Sequence, residues 1–227
     1  RTNLPGMPMA ISEQLRILNK LTLEERREKL RTLSDTEREE VQTHWKLWAR
    51  SEQLPPPGDW RTWLIMAGRG FGKTRAGAEW ARAVADTDPQ ARIALVGASL
   101  PEVRAVMVEG ESGLLGVCPL RHRPEFEPSL RRISWPNGAQ ALLYSAGDPE
   151  TLRGPQHSHA WCDEIAKWDN ASQRATRAWD NLLFGLRLGE HPRLVATTTP
   201  RAVPLVRRLM EEADETLAIT RGRTEDN

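Results

Sequence analysis

The chain has 227 residues, enough for one sizeable domain or a domain with a small appendage, and its 39% apolar content is sufficient for a full core. With 32 basic and 31 acidic residues the net charge is +1, so overall charge gives no argument for a nucleic-acid partner, and two cysteines, Cys118 and Cys162, exclude a disulfide framework. No run approaches about 18 apolar residues and no secretory h-region opens the sequence, which points to a soluble cytoplasmic protein with no membrane partner.

Residues 1 to 10 hold two prolines, a glycine and no periodicity, and read as a disordered leader. Residues 12 to 50 read as helices. Thr22 with Glu25 and Ser34 with Glu37 both match the capping box, and Leu23, Leu30 and Leu33 mark an apolar stripe between them. A third helix should carry Val41, Trp45 and Trp48 on one face. Pro55-Pro56-Pro57-Gly58 then acts as a stiff connector, so residues 1–58 are expected to form a leader and helical appendage, with 59–227 as the core.

The apolar run Trp63-Leu64-Ile65-Met66 leads into Ala67-Gly68-Arg69-Gly70-Phe71-Gly72-Lys73-Thr74 and then an Ala- and Arg-rich helix starting through Arg75. A strand, a glycine-rich turn and a helix opening on Lys-Thr make a phosphate cradle. Backbone N–H groups approach the phosphates, the helix N-terminus adds positive charge, Lys73 reaches the β- and γ-phosphates, and the Thr74 hydroxyl suits Mg²⁺. Ala67 stands where the pattern usually has glycine, and Gly68 and Gly70 offer the freedom instead. These residues imply binding of a nucleoside triphosphate.

Beyond the loop, strand and helix alternate. Ile93 to Val96 is a buried strand, and Ser99 with Glu102 caps a helix with Pro101 in its first turn. Arg131 to Trp135 and Ala139 to Tyr144 flank Pro136-Asn137-Gly138 as a hairpin. Residues 158 to 162 form a short strand, and Asn170 with Gln173 opens a helix ending near Gly185 or Gly189. Leu194 to Ala196 is a strand, Pro204 to Met210 a helix, and 216 to 220 a last strand. Such alternation implies an α/β fold with a mostly parallel sheet and helices on both faces. The nine tryptophans are expected to fill core gaps, Cys162 to be a buried small residue, and His157 and His159 to be structural. Arginines cluster at 121, 123, 131 and 132, at 201, 207 and 208, and at 221 and 223, each a solvated face or a contact surface.

Hydrolysis needs a held Mg²⁺ and an oriented water. Asp163 and Glu164 follow a strand-like run about 90 residues after the loop. They are expected at the exit of a strand beside the loop's own strand, Asp163 for the Mg²⁺ shell and Glu164 for the water. Thr197-Thr198-Thr199-Pro200 leaves the next strand, where hydroxyls can contact a γ-phosphate.

Together with Leu152-Arg153-Gly154-Pro155-Gln156, these motifs resemble the ATPase domain of the large terminase subunit, the DNA-packaging motor of tailed bacteriophages and gene transfer agents. The resemblance covers about residues 40 to 227. It implies an additional-strand, RecA-like P-loop NTPase fold, with ATP and Mg²⁺ as cofactors and a coupling motif at Thr198, Thr199 and Pro200. It implies a motor ring on a portal protein in the bacterial host cytoplasm, fed by a small terminase subunit and gripping double-stranded DNA without regard to sequence. The domain is expected to form a homo-oligomeric ring when assembled and to be a monomer in isolation. Gln53 and Trp60, ahead of the loop's strand, are adenine-site candidates. Among arginines, Arg69 would act in the same subunit, and Arg153 or Arg201 on a neighbour's ATP. The family's nuclease domain would lie beyond Asn227, and no nuclease activity is expected of these residues. A helicase-like ATPase and a non-hydrolysing nucleotide-binding assembly module are the alternatives that the motifs leave open.

Overall fold

The structure is a computed structural model and describes residues 21–222 except 23, 26, 27, 29, 30, 35–37, 40 and 42. The expected leader, Leu23, Leu30, Glu37 and Arg223 lie outside the described residues. The chain divides into two compact units, Arg1–Arg50 and Ser51–Asn227, and the Pro-rich connector falls within the second.

In the first unit the Thr22–Glu25 capping box forms. Glu25 Oε2 accepts from the Thr22 N–H at 2.9 Å and its hydroxyl at 2.8 Å, and the Glu25 N–H donates to Thr22 Oγ1 at 3.4 Å. The expected third helix is interrupted. His44, at φ −80° and ψ 87°, precedes a separate turn of helix, Trp45–Trp48. The interruption removes the shared face: Val41 is buried, whereas Trp48 is 46% exposed and donates its Nε1–H to Val41 O at 2.8 Å.

The second unit is built on an eight-stranded sheet. In chain order the strands are β1 (Thr62–Ala67), β2 (Arg92–Gly97), β3 (Glu125–Glu127), β4 (Arg132–Ser134), β5 (Gln140–Ser145), β6 (His159–Cys162), β7 (Arg193–Thr198) and β8 (Leu217–Gly222). Their spatial order is β3-β4-β5-β2-β6-β7-β1-β8. From β5 to β8 all neighbours are parallel, and β3 and β4 join antiparallel at one edge. The β4–β5 hairpin turns where Asn-Gly requires it: Gly138 has φ +105°, and Asn137 Oδ1 accepts the Ala139 N–H at 3.1 Å.

Period-two alternation in the parallel strands makes two cores. Leu64, Ala94, Val96, Ala160, Cys162, Leu194 and Ala196 face a cluster with Trp179 and Leu182 of helix α2 (Arg174–Gly185), and Leu205 and Leu209 of α3 (Pro204–Glu211). The alternate residues include Trp161, against which Gly77 of the fifteen-residue helix α1 (Lys73–Thr87) lies so close that a Cβ there would sit 2.2 Å from the indole Nε1. Helices therefore cover both faces. Trp60, Trp63, Trp80, Trp135, Trp161, Trp168 and Trp179 are all buried, filling these seams.

The helix at 174 begins differently from the expected Asn170–Gln173 box. Gln173 adopts a left-handed conformation with no side-chain cap, and the turn before it closes through Asp169, which accepts from the Ser172 N–H at 3.2 Å. Asn170 reaches the start of α3 instead, accepting the Leu205 N–H at 3.1 Å. No helix among the described residues is long and apolar enough to cross a membrane.

Candidate active site

β1 ends at Ala67, and the loop from Gly68 to Gly72 delivers the chain to the helix that starts at Lys73. Gly70 at φ +81° and Gly72 at φ +84° supply the left-handed conformations that turn it, which is how the loop accommodates alanine at 67. The first turn of a helix has N–H groups with no acceptor within the helix and carries the positive end of its dipole. Lys73 is largely buried. Its Nζ donates to Ala67 O and Gly68 O, both at 2.9 Å, folding the lysine back over its own loop. Burial lowers the Lys73 pKa, and the nearby Glu164 and Asp163 charges oppose that shift. Gln53, also buried, donates to Phe71 O at 2.7 Å, so the segment ahead of β1 touches the loop directly. On the loop's other flank, the Phe71 ring occupies the space a Cβ on Gly222 would need, at 2.0 Å.

The acidic pair follows β6. The expectation that its strand lies beside β1 is corrected: β7 stands between them. The pair reaches the loop because β7 closes the gap with side chains. Thr197 Oγ1 donates to Asp163 Oδ1 at 2.9 Å and accepts the Glu164 N–H at 2.9 Å. Thr199 donates its N–H to Glu164 Oε1 at 2.8 Å and its hydroxyl to the same oxygen at 2.6 Å. Across this bridge Thr74 Oγ1 lies 3.4 Å from Asp163 Oδ1, and Lys73 Nζ lies 3.9 Å from Glu164 Oε2. Asp163 is almost fully buried, which pushes its pKa up to about 6, against the opposing effect of the Thr197 hydrogen bond. Glu164 sits at φ 47° and ψ 57°, a left-handed conformation that costs a non-glycine residue about 1–2 kcal/mol and persists where the surroundings fix it. A hydroxyl from the start of the helix after the loop and a carboxylate oxygen from just beyond β6 are hard oxygen donors of the kind that Mg²⁺ takes.

The remaining candidates are placed as follows. Arg69 and Gly70 are exposed on the loop, and Gly68 is half-buried. Arg75 turns down the helix to Glu79, with Nη2 2.7 Å from Oε1 and Nε 2.9 Å. Trp60 is not brought to the loop. It lies at the entry end of β1, bonded to Pro56 O at 2.9 Å and packed at ring-centroid distances of 6.1 Å and 6.4 Å from Trp63 and Trp80. Thr198 is buried on the opposite face of β7 from Thr197, and its hydroxyl donates to Thr199 O at 2.9 Å. Pro200 and Arg201 are exposed. Arg153, its side chain 78% exposed, makes a loose 3.7 Å pair with Glu150. His157 and His159 are kept neutral by burial, their pKa values lowered to about 4, and His159 Nδ1 meets Ser158 Oγ at 3.0 Å. Of the basic clusters, Arg132 pairs with Glu127 at 2.8 Å and Arg208 with Asp180 at 2.8 Å. Motif reading takes Thr197 only as part of the Thr197–Pro200 strand exit, with hydroxyls toward a γ-phosphate, and passes over its bridge to the acidic pair. A partial signal was present: on a strand it shares a face with Thr199.

The family model of the terminase large subunit, T4likevirus-type, N-terminal region matches residues 64–222. No curated protein matches the chain. Among solved structures, the large terminase of a thermophilic bacteriophage in complex with ADP aligns with a TM-score of 0.58 at 14% identity, over 83% of this chain and 46% of that one. The ATPase domain of the Thermus phage P74-26 large terminase aligns at 0.55 and 11%, over 72% and 76%. The N-terminal domain of the DNA-packaging ATPase from bacteriophage phi29 aligns at 0.54 and 16%, over 72% and 91%. The chain spans less than half the length of the first of these proteins. At these identities the likeness is one of fold: a mostly parallel sheet with helices on both faces, of the P-loop type found in terminase ATPase domains.

Proposed function

Because the chain belongs to the family of T4likevirus-type terminase large subunit N-terminal domains, we propose that it is an ATP-hydrolysing motor domain that powers translocation of double-stranded DNA into a procapsid. One observation carries the catalytic part of this reading. Lys73 and Thr74, at the start of the helix that follows the loop, converge on Glu164 and Asp163 across β7, at 3.9 Å and 3.4 Å. The thermophilic-phage terminase holds ADP in one structure and ATP-γ-S in another; in this chain the cradle from Gly68 to Arg75 would take the same class of ligand.

The division of labour follows from the chemistry of each group. The loop's N–H groups and Lys73 bind and orient the β- and γ-phosphates and offset the charge that develops during transfer. Lys73 must leave the carbonyls of Ala67 and Gly68 to do so, and a γ-phosphate is a stronger acceptor than either. Thr74 and Asp163 would hold Mg²⁺, which neutralises phosphate charge when bound. Glu164 would orient an attacking water; its Oε1 accepts both Thr199 donors while its Oε2 lies 3.9 Å from Lys73 Nζ, which supports that role. Thr198, Thr199 and Pro200 would pass the state of the site to neighbouring elements. Gln53 would carry adenine-side contacts to the loop through its bond to Phe71 O, Arg69 would supply charge in the same subunit, and Arg153 or Arg201 would act on a neighbour's ATP within a ring. DNA, portal protein and small terminase subunit are the partners this role requires, with DNA held through its phosphates so that any sequence is accepted.

The test is Mg²⁺-dependent ATP hydrolysis across protein concentrations, with and without linear double-stranded DNA. Lys73→Ala is expected to abolish ATP binding or turnover. Near-normal hydrolysis in that variant would overturn the assignment.

A further inference from the structure

From the sequence Thr197 is only one of the strand-exit hydroxyls able to contact a γ-phosphate, and it is completely buried. Its single hydroxyl serves both members of the acidic pair, as donor to Asp163 Oδ1 and as acceptor of the Glu164 N–H, each at 2.9 Å. The second bond falls on a residue with a strained backbone. Glu164 is held at φ 47°, and its C=O is also occupied, accepting the Lys167 N–H at 2.8 Å. In the ordinary right-handed conformation the Cα–Cβ bond would point in another direction, and the carboxylate would leave Lys73 and Thr199. The geometry of the site therefore depends on what keeps this one peptide in place.

Resting on the reading of Glu164 as the water-orienting group, we propose that Thr197 is a positioning residue whose hydroxyl pins the Glu164 peptide and so aims its carboxylate into the nucleotide site. Valine matches threonine in shape and lacks the hydroxyl. In Thr197→Val the Glu164 N–H loses its acceptor in a buried setting and the strained peptide is free to relax. Serine keeps the hydroxyl and loses only a methyl group.

The experiment compares wild type, Thr197→Val, Thr197→Ser and Glu164→Gln by steady-state ATP hydrolysis, ATP-γ-S binding and Mg²⁺ titration. Thr197→Val is expected to lower kcat at least fivefold, with KM for ATP, ATP-γ-S affinity and the Mg²⁺ requirement within twofold of wild type, and Thr197→Ser to recover most of the loss. A smaller kcat effect, a Mg²⁺ requirement that rises in step with the loss, or a serine variant as impaired as valine overturns the proposal. The second of these would place the effect on Asp163. If the valine variant does not fold, Thr197→Cys, of similar size and with a weakly bonding thiol, carries the same comparison. Wild-type turnover in Glu164→Gln would instead overturn the reading of Glu164 on which the proposal stands.

Discussion

At the scale of single residues, the site is a set of polar groups that have been taken out of water and must satisfy one another. Glu164 shows this most clearly, with one carboxylate oxygen held by both donors of Thr199 and the other turned to Lys73. Glu164→Gln retains the shape and one acceptor but removes the charge that polarises a water. It is expected to bind ATP-γ-S as wild type does and to hydrolyse ATP slower by roughly two to four orders of magnitude, measured by single-turnover kinetics. The residues of this site were legible in the sequence where a motif dictates them: Lys73, Thr74, Asp163 and Glu164 are fixed by loop spacing and strand exit. The role of Thr197 was not, because it depends on which strand lies between β1 and β6, and that is a property of strand order rather than of local pattern.

At the scale of elements, the alternation of strands and helices, the Asn-Gly hairpin and the Thr22–Glu25 cap were all readable because each rests on local chemistry. The misread helix start at Asn170 has a tertiary cause. Its side chain is drawn to the Ile165 and Trp168 carbonyls and the Leu205 N–H, so it ties the segment after β6 to α3 instead of capping the nearest helix. Asn170→Ala is expected to destabilise the fold by about 1–2 kcal/mol in denaturant titrations, as a lost helix-start acceptor does. Helix α1, after the loop, meets β6 at Gly77 and Trp161. Gly77→Ala would normally favour a helix by roughly 1 kcal/mol. Here the added methyl meets the Trp161 ring, and overpacking of about 1–3 kcal/mol should reverse the sign. Thermal unfolding of that variant checks this, and a Tm at or above wild type would show that the ring can move aside.

At the scale of the whole molecule, burial of titratable groups makes stability depend on pH. His157 and His159 titrate near 4 in the folded state against about 6.5 unfolded. The unfolded chain therefore binds more protons between those values, so the stability these groups contribute is present above about pH 6.5 and is lost as pH falls through about 4. Tm is expected to drop across that window. His157→Phe, which keeps a ring against Tyr144 where the centroids are 5.3 Å apart, should make the drop shallower. The sheet order has a further consequence, for the route by which the protein forms. β1 pairs with β7 and β8, Thr62 lying opposite Leu194 on one side and Leu217 on the other. Of the eight strands, the one that leads into the glycine-rich loop is the first to be made, and its two neighbours are the last. Closing such distant pairings slows folding. Recovery of nucleotide affinity during refolding is accordingly expected to lag behind the recovery of secondary structure, and a nascent chain that ends before β7 should carry the complete loop sequence without a loop that binds.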